Sequence, residues 1–342
     1  MSCDKITVTH SGGAYDVVYT SFSQAVKELP EARVVVTDEN VWAAWGHAFP
    51  QGCPVFRVPP GEGSKSLQCY GRLVEAMAEA GLDRGVSVVA IGGGVVGDLA
   101  GFVAATYMRG VAYVQVPTSL LAQVDSSVGG KVAVDTPQGK NLVGAFYPPR
   151  VVLIASETLK TLPRRHFTNG MAEVWKYGFI LDAAFVDFLR ASPPESHVDE
   201  IVRRCIELKA MVVQDDEFDR SGSRAVLNFG HTVGHALEQV TGFDALLHGE
   251  AVAVGMVVEA ELGERIGVTR AGTAAIVREC LAFQGLPTTH EALSRTDALL
   301  EAMKRDKKAQ DGEPAFSLIT CVGESKLVPG IPQAEVRAVL QL

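Results

Sequence analysis

Two histidines four residues apart, His231 and His235 in LNFGHTVGHALEQ, are the side chains best spaced for metal chemistry. Positions i and i+4 of a helix share a face, so both imidazoles point the same way. The zinc-protease pattern H-E-x-x-H puts a glutamate directly after the first histidine as general base. Thr232 stands there instead, which removes peptide hydrolysis by that route. His248 opens the next helical segment, HGEAVAVGM, and Glu173 lies among apolar residues in NGMAEVWKYG. A catalytic zinc takes three protein ligands and leaves a position open for water or substrate. Four candidates for three places leave one with another task, and spacing does not decide which.

Cations recur beside turn glycines and these ligands. They are Arg109 in TYMRG, Lys131 in SSVGGKVAVD, Lys140 with Asn141 in QGKNLVGAF, Lys176, Lys209 in ELKAMVV, Arg224, and Lys307 and Lys308 in DKK. Each alone reads as solvated surface charge. Gathered in one pocket they suit a substrate that carries phosphate, carboxylate or both. A third signal is IGGGVVGDLAGF, where Gly92, Gly94 and Gly97 meet the G-x-G-x-x-G spacing between a strand and a helix. Glycines there let the backbone approach a phosphate, and the helix N-terminus favours negative charge. The acidic residue expected about 20 positions later to hold a ribose is missing, and the motif is not on the first βα turn. The loops PPGEGSKS and TDEN also follow strand-like runs. Three such loops in one half of the chain favour a dinucleotide site over a merely tight turn.

The elements that must position these residues fall into two halves. RVVVTDEN at 33–40, VSVVAI at 86–91, VAYVQVP at 111–117 and RVVLIA at 150–155 read as short buried strands, with helical periodicity at 66–85 between them. That alternation predicts a parallel sheet covered on both faces. After about residue 160 the segments 169–192, 197–218, 224–242, 248–266 and 272–284 read as helices. The expected organisation is an α/β nucleotide-binding domain over 1–160, a mostly helical domain over 161–342, and a cleft between them. The 342 residues suffice for two domains, and the net charge of −9 disfavours nucleic acid as partner. Six scattered cysteines suit reduced thiols, the N-terminus shows no signal peptide, and no apolar run is long enough for a bilayer. The expected location is the cytoplasm.

In combination the segments GGGVVGDLAGFVAATYMRG, VPTSLLAQVDSSVGGKVAVD, GKNLVGAFYPP, NGMAEVWKYG, LNFGHTVGHALE and HGEAVAVGM resemble the signatures of the 3-dehydroquinate synthases, in that family's order. With PPGEGSKS and DKK the resemblance runs from about residue 35 to 310. One position departs, Trp175, where the familiar form has isoleucine. The resemblance implies a homodimer with a metal, zinc or else cobalt, on Glu173, His231 and His248, and with His235 as the proton-transfer histidine near the substrate phosphate. It places NAD on Asp38, on Glu62 to Lys65, on Gly93, Gly94, Val95, Val96, Gly97 and Asp98, on Thr118 and Ser119, on Lys131 and Lys140, and on Thr158, Leu159, Lys160, Thr161 and Leu162.

The activity so implied converts 3-deoxy-D-arabino-heptulosonate 7-phosphate into 3-dehydroquinate and phosphate, a step of the shikimate pathway to aromatic amino acids. Transient oxidation by NAD, phosphate elimination, re-reduction and an intramolecular aldol closure make it a lyase with no net redox change. Lys131, Asn141 and His235 would hold the phosphate, with Arg109 contributed across the dimer. Lys209, Arg224 and either Lys307 or Lys308 would hold the carboxylate. Asp125, Lys176, Glu217 and Asn228 would orient hydroxyls, the metal or its water. The alternatives are an aminodehydroquinate synthase with nearly the same pocket, and a 2-deoxy-scyllo-inosose synthase, which the carboxylate-type pocket disfavours. A metal-dependent polyol dehydrogenase, with no need of the lysines, and a degenerate paralogue that only binds nucleotide are more distant.

Overall fold

The computed structural model describes residues 4–219, 222–242, 245–304 and 315–341. Lys307 and Lys308 lie outside the described residues. The chain forms two compact units, one of Met1–Pro163 with Val202–Phe218, the other of Arg164–Ile201 with Asp219–Leu342. Residues 202–218, expected in the helical domain, therefore pack with the first unit.

The first unit contains the strands β1 (Lys5–His10), β2 (Gly13–Tyr19), β3 (Arg33–Asp38), β4 (Val55–Val58), β5 (Ser87–Gly92), β6 (Ala112–Pro117), β7 (Lys131–Thr136), β8 (Gly139–Phe146) and β9 (Val151–Ile154). Seven of them form one sheet in the order β1-β2-β9-β6-β5-β3-β4, parallel throughout except for the β1–β2 hairpin at one edge. The helices are α1 (Phe22–Glu28), α2 (Glu39–Trp45), α3 (Leu67–Glu79) and α4 (Gly94–Thr106), together with most of α7 (Val198–Asp215).

Period-two geometry explains why the central strands read as unbroken apolar runs. Val34, Val36, Val88 and Ala90 pack on one face with Leu73, Met77, Leu99 and Val103. Val35, Val89, Ile91, Val114, Val116 and Leu153 pack on the other with Phe22, Ala25 and Phe49. Each valine so buried contributes about 1.5–3 kcal/mol. The expected parallel sheet covered on both faces is present.

Going outward from β3, the chain runs to β4 on one side and to β5, β6 and β9 on the other. The reversal between β3 and β5 is the point in an open α/β sheet where ligands bind, beyond the carboxyl ends of the strands. Asp38 ends β3, and Gly92 ends β5.

Strands β7 and β8 form a separate hairpin against α4. Val134 pairs with Val143 and Thr136 with Gly139, so the one residue Asp135 faces Lys140, Asn141 and Leu142. Asn141 sits in this bulge with φ of 54°, in the left-handed region.

The second unit is mostly helical, with α5 (Arg164–Leu181), α6 (Ala183–Ala191), α8 (His231–Thr241), α9 (His248–Arg265), α10 (Thr273–Phe283), α11 (Thr296–Lys304) and α12 (Gln333–Leu340). Its core joins Val233, Leu237, Val254, Val258, Leu299 and Met303. An antiparallel hairpin, β10 (Phe316–Cys321) with β11 (Glu324–Val328), completes it and was not expected from the sequence. Trp175 is fully buried on α5, stacked on Phe179 and bonded through Nε1 to Gln284 Oε1 at 3.2 Å. The departure at that position is thus a core residue with its polar atom satisfied.

Candidate active site

In the second unit, α5, α8 and α9 bring Glu173, His231 and His248 together. Glu173 Oε1 lies 3.5 Å from His231 Nε2 and 3.6 Å from His248 Nε2. With metal–ligand bonds of about 2.1 Å the edge of a coordination tetrahedron is about 3.4 Å. Both separations match that edge, and one carboxylate with two imidazoles is a donor set suited to a divalent ion of zinc size.

The far nitrogen of each ring is anchored. His231 Nδ1 faces the carbonyl of Phe229 at 3.2 Å, and His248 Nδ1 faces Glu238 Oε2 at 3.4 Å. Such partners fix the tautomer and turn Nε2 toward the ion. Glu238 was not singled out from the sequence, although its place seven residues after His231 puts it on the same helix face. Lys176, one turn beyond Glu173 and equally buried, makes a close ion pair with that carboxylate.

The helices hold these positions through backbone contact. Gly249 donates its N–H to Asn169 Oδ1 at 2.7 Å, and a Cβ at Gly249 would fall 2.0 Å from the Asn169 carbonyl oxygen. The approach of α9 to α5, and with it His248 to Glu173, depends on that missing side chain. At the start of α8, Gly230 has φ of 81°, and a Cβ at Gly255 on α9 would meet the Gly230 carbonyl oxygen at 2.0 Å. The buried Glu259 of α9 accepts the N–H groups of Gly230 at 2.7 Å and Val233 at 3.0 Å. It supplies the cap that Gly230 lacks.

His235 is exposed, with its ring 5.3 Å from that of His231 and 5.9 Å from that of His248. It borders Glu173, His231 and His248 without being one of the set centred on Glu173, and its own ring nitrogen gathers with Glu238 and His248.

Burial pushes His231 well below the ordinary imidazole range. Burial acts the same way on His248, but the carboxylates of Glu238 and Glu173 outweigh it and raise that imidazole to about 10. In the metal-free protein His248 is therefore protonated at neutral pH, and an ion must displace its proton. Calorimetric zinc binding near pH 7 in buffers of different ionisation enthalpy is expected to show about one proton released per ion. Affinity should rise about tenfold per pH unit until His248 deprotonates on its own. Release of no proton near pH 7 would contradict the assignment of His248 as the protonated ligand.

In the first unit most of the expected nucleotide residues follow the carboxyl ends of β3, β4, β5, β6 and β9, while Lys131 and Lys140 lie on the β7–β8 hairpin. Asp38 caps α2, accepting the N–H groups of Asn40 and Val41 at 2.9 Å. Gly93 precedes α4 and takes the Gly97 N–H on its carbonyl, Val95 is half-buried, and Val96 is packed in the core. Asp98 pairs with Lys65 Nζ at 2.6 Å, and Glu62 lies 3.7 Å from the same nitrogen and 3.8 Å from Lys140 Nζ. Burial opposes the charge on Lys65, but Asp98 and Glu62 outweigh it and raise its pKa.

Thr118 follows β6, with Ser119 beside Gly93. Gln123, fully buried, donates to the carbonyls of Pro117 at 3.0 Å and Ala155 at 3.3 Å and to Thr158 Oγ1 at 3.3 Å. It ties the loops after β6 and β9 together and was not foreseen, since nothing in a lone glutamine announces three such acceptors. The helical turn Ser156–Thr161 carries buried Thr158 and Leu159 and exposed Lys160, and Leu162 follows it. Thr161 Oγ1 accepts from Trp45 Nε1 at 2.8 Å.

The cations divide. Lys209, nearly buried, donates to Asp125 through its carbonyl at 2.6 Å and its carboxylate at 2.9 Å. Asp125 lies in a π-turn, Ala122–Ser126, a distortion frequent at functional sites. Lys131 is exposed, with Nζ 6.0 Å from the centre of the Phe146 ring. Arg109 is exposed with φ of 67°, following Met108 at 51°. Glu217 accepts the Ser11 N–H at 2.6 Å, a turn cap in this structure. In the second unit Arg224 is buried, and Asn228 Nδ2 donates to the Ala225 carbonyl at 2.9 Å.

Comparisons with known proteins identify the family of this chain. Residues 55–169 match the family described as 3-dehydroquinate synthase N-terminal, and 170–309 match its C-terminal counterpart. The 3-dehydroquinate synthase of Opitutus terrae is 46% identical over 349 residues, covering 97% of this chain and 96% of that protein. That of Caldanaerobacter subterraneus is 43% identical, covering 90% and 89%. Among solved structures, a 2-deoxy-scyllo-inosose synthase complexed with carbaglucose-6-phosphate, NAD+ and Co2+ superposes with a TM-score of 0.86 at 25% identity over 99% of both chains. A 2-epi-5-epi-valiolone synthase of Streptomyces hygroscopicus with NAD+ and Zn2+ gives 0.87 at 27% identity over 96% of both. A protein of Sinorhizobium meliloti described as a probable glycerol dehydrogenase, at 17% identity and a TM-score of 0.61 over 94% of this chain and 95% of that one, shares the fold alone. By both halves of its sequence, this chain belongs to the 3-dehydroquinate synthase family.

Proposed function

We infer that this chain converts 3-deoxy-D-arabino-heptulosonate 7-phosphate into 3-dehydroquinate and phosphate, as a lyase of the shikimate pathway that uses NAD and a divalent metal ion. The observation that carries this reading is the Glu173–His231–His248 set with the exposed His235 at its border. When bound, NAD supplies a reversible oxidation at carbon 5, and the ion, held by Glu173, His231 and His248, supplies Lewis-acid polarisation at that oxygen.

The chain's own residues do the rest. Lys131 and Asn141 bind the phosphate, and His235 carries the proton that the elimination moves. Lys209, Arg224 and one of Lys307 or Lys308 bind the carboxylate. Holding both ends fixes a flexible sugar in one reactive pose, which removes much of the entropic part of the barrier. Asp125, Lys176, Glu217 and Asn228 orient hydroxyls and the ion's surroundings. The pairing of Lys209 with Asp125 supports a shared role for those two. NAD lies along Asp38, Glu62 to Lys65, Gly93 to Asp98, Thr118, Ser119, Lys131, Lys140 and Thr158 to Leu162, where the sheet topology favours a nucleotide. A homodimer, with Arg109 reaching the phosphate across it, and a cytoplasmic location belong to the same reading. Among the described residues no helix is long and apolar enough to cross a membrane.

The test is phosphate release from the heptulosonate phosphate, with and without added NAD and chelator. Equal phosphate and dehydroquinate with no accumulation of NADH are expected. No phosphate from this substrate would pass the reading to the amino analogue, and steady NADH formation from a polyol would overturn it.

A further inference from the structure

The bulge in the β7–β8 hairpin has one residue opposite three, and that residue makes three kinds of contact. Asp135 donates its main-chain N–H to the carbonyl of Lys65 at 2.7 Å, and it bridges Ser66 in a parallel pairing. Its Oδ1 accepts the N–H of Asn141 at 2.8 Å. Its carboxylate also lies within electrostatic reach of Lys65, Lys140 and Glu62. Lys65 and Glu62 belong to the loop read above as part of the NAD site, and Asn141 to the residues read as binding phosphate.

We propose that Asp135 is a positioning residue that aims Asn141 at the substrate phosphate and ties that aim to the cofactor loop, so that phosphate affinity depends on cofactor occupancy. The inference rests on the function proposed above. A bulge of this kind disrupts the ladder locally, so contacts from outside the ladder help to hold its shape. Asn141 tolerates the left-handed conformation, but its N–H still needs an acceptor, and a carboxylate provides a charge-assisted one. The same residue is fastened through its backbone to Lys65. A shift of the cofactor loop therefore moves the clamp on Asn141, and an ordered loop holds it still. Glu62, shared between Lys65 and Lys140, adds a second link between loop and bulge.

Inorganic phosphate, the reaction's product, is the probe, with its Kd measured calorimetrically on the full chain with and without NAD. In the native protein NAD is expected to tighten phosphate at least about fivefold, the lower end of ordinary coupling between sites. Asp135→Ala is expected to weaken phosphate about tenfold with NAD present and to bring the ratio near one, while NAD affinity measured alone stays within about threefold. Asp135→Ser, too short to reach the amide, replaces alanine if that variant does not fold. Asp135→Asn keeps an acceptor for the Asn141 N–H and should keep phosphate affinity within about threefold.

The proposal is overturned by a native ratio of one, by native phosphate binding in Asp135→Ala or Asp135→Ser, or by Asp135→Asn failing as badly as they do. Asn141→Ala separates the two readings. If it leaves phosphate affinity intact, the assignment of Asn141 to phosphate is wrong. If it weakens phosphate and Asp135→Ala does not, only the positioning role falls.

Discussion

His235→Ala is expected to keep its metal and its NAD and to lose turnover by about 10²–10⁴-fold, the usual contribution of a positioned proton carrier. His231→Ala is expected to lose both metal and turnover. The two histidines share a helix face, but their surroundings differ. His231 is half-buried, with Nε2 3.5 Å from Glu173 and Nδ1 facing a carbonyl, which is how a ligand is oriented. His235 is exposed beside the ligand set, where a proton can enter and leave. Metal content after desalting, NAD retained on the protein and the rate of phosphate release separate the two variants. Equal metal loss in both would remove the distinction between ligand and proton carrier.

The second large effect concerns stability. Glu259→Ala should destabilise the protein by about 2–6 kcal/mol, about 1–3 kcal/mol for each of two buried donors left without an acceptor. Glu259 is fully buried on α9, and its two oxygens take the N–H groups of Gly230 and Val233 at the first turn of α8. Without them two buried donors are left unsatisfied at the helix end that carries His231. A melting temperature lower by roughly 5–10 °C and a weakened hold on zinc are the expected readings. Melting within about 2 °C of the native protein would show that the cap is replaceable by water.

Much of the candidate ligand set was legible because it is local chemistry. Helical periodicity puts His231 and His235 on one face, and an acid within an apolar helix is conspicuous. Which histidine stands beside Glu173 was not legible from spacing, because it depends on where Glu173 points from another helix. Glu238 and Glu259 escaped notice for a related reason: on an amphipathic helix an acid reads as solvated until a partner element is docked over it. The apolar runs of β3, β5, β6 and β9 announced a buried parallel sheet, since both faces of each strand are covered. The helical pattern of 197–218 was equally clear, but periodicity gives a helix a buried side without saying what it packs against. The β7–β8 hairpin was met only as motifs, because the bulge that sets Asn141 against Asp135 is a property of pairing register. The β10–β11 hairpin is short, and β11 is half open to solvent, so its alternation is weak.

The contact between Gly230 and Gly255 has a consequence for the order of folding. The helices it joins, α8 and α9, follow one another in the chain, so their pairing closes only a short loop and forms early at little entropic cost. His231 and His248 are then neighbours before α5, far earlier in the chain, has docked. Glu173 arrives with α5, and only then is the third residue of the proposed metal set in place. Metal capture is thus a clock for the last step of assembly in the helical unit: time-resolved zinc uptake during refolding would lag the return of helical signal, and the lag would measure the docking of α5.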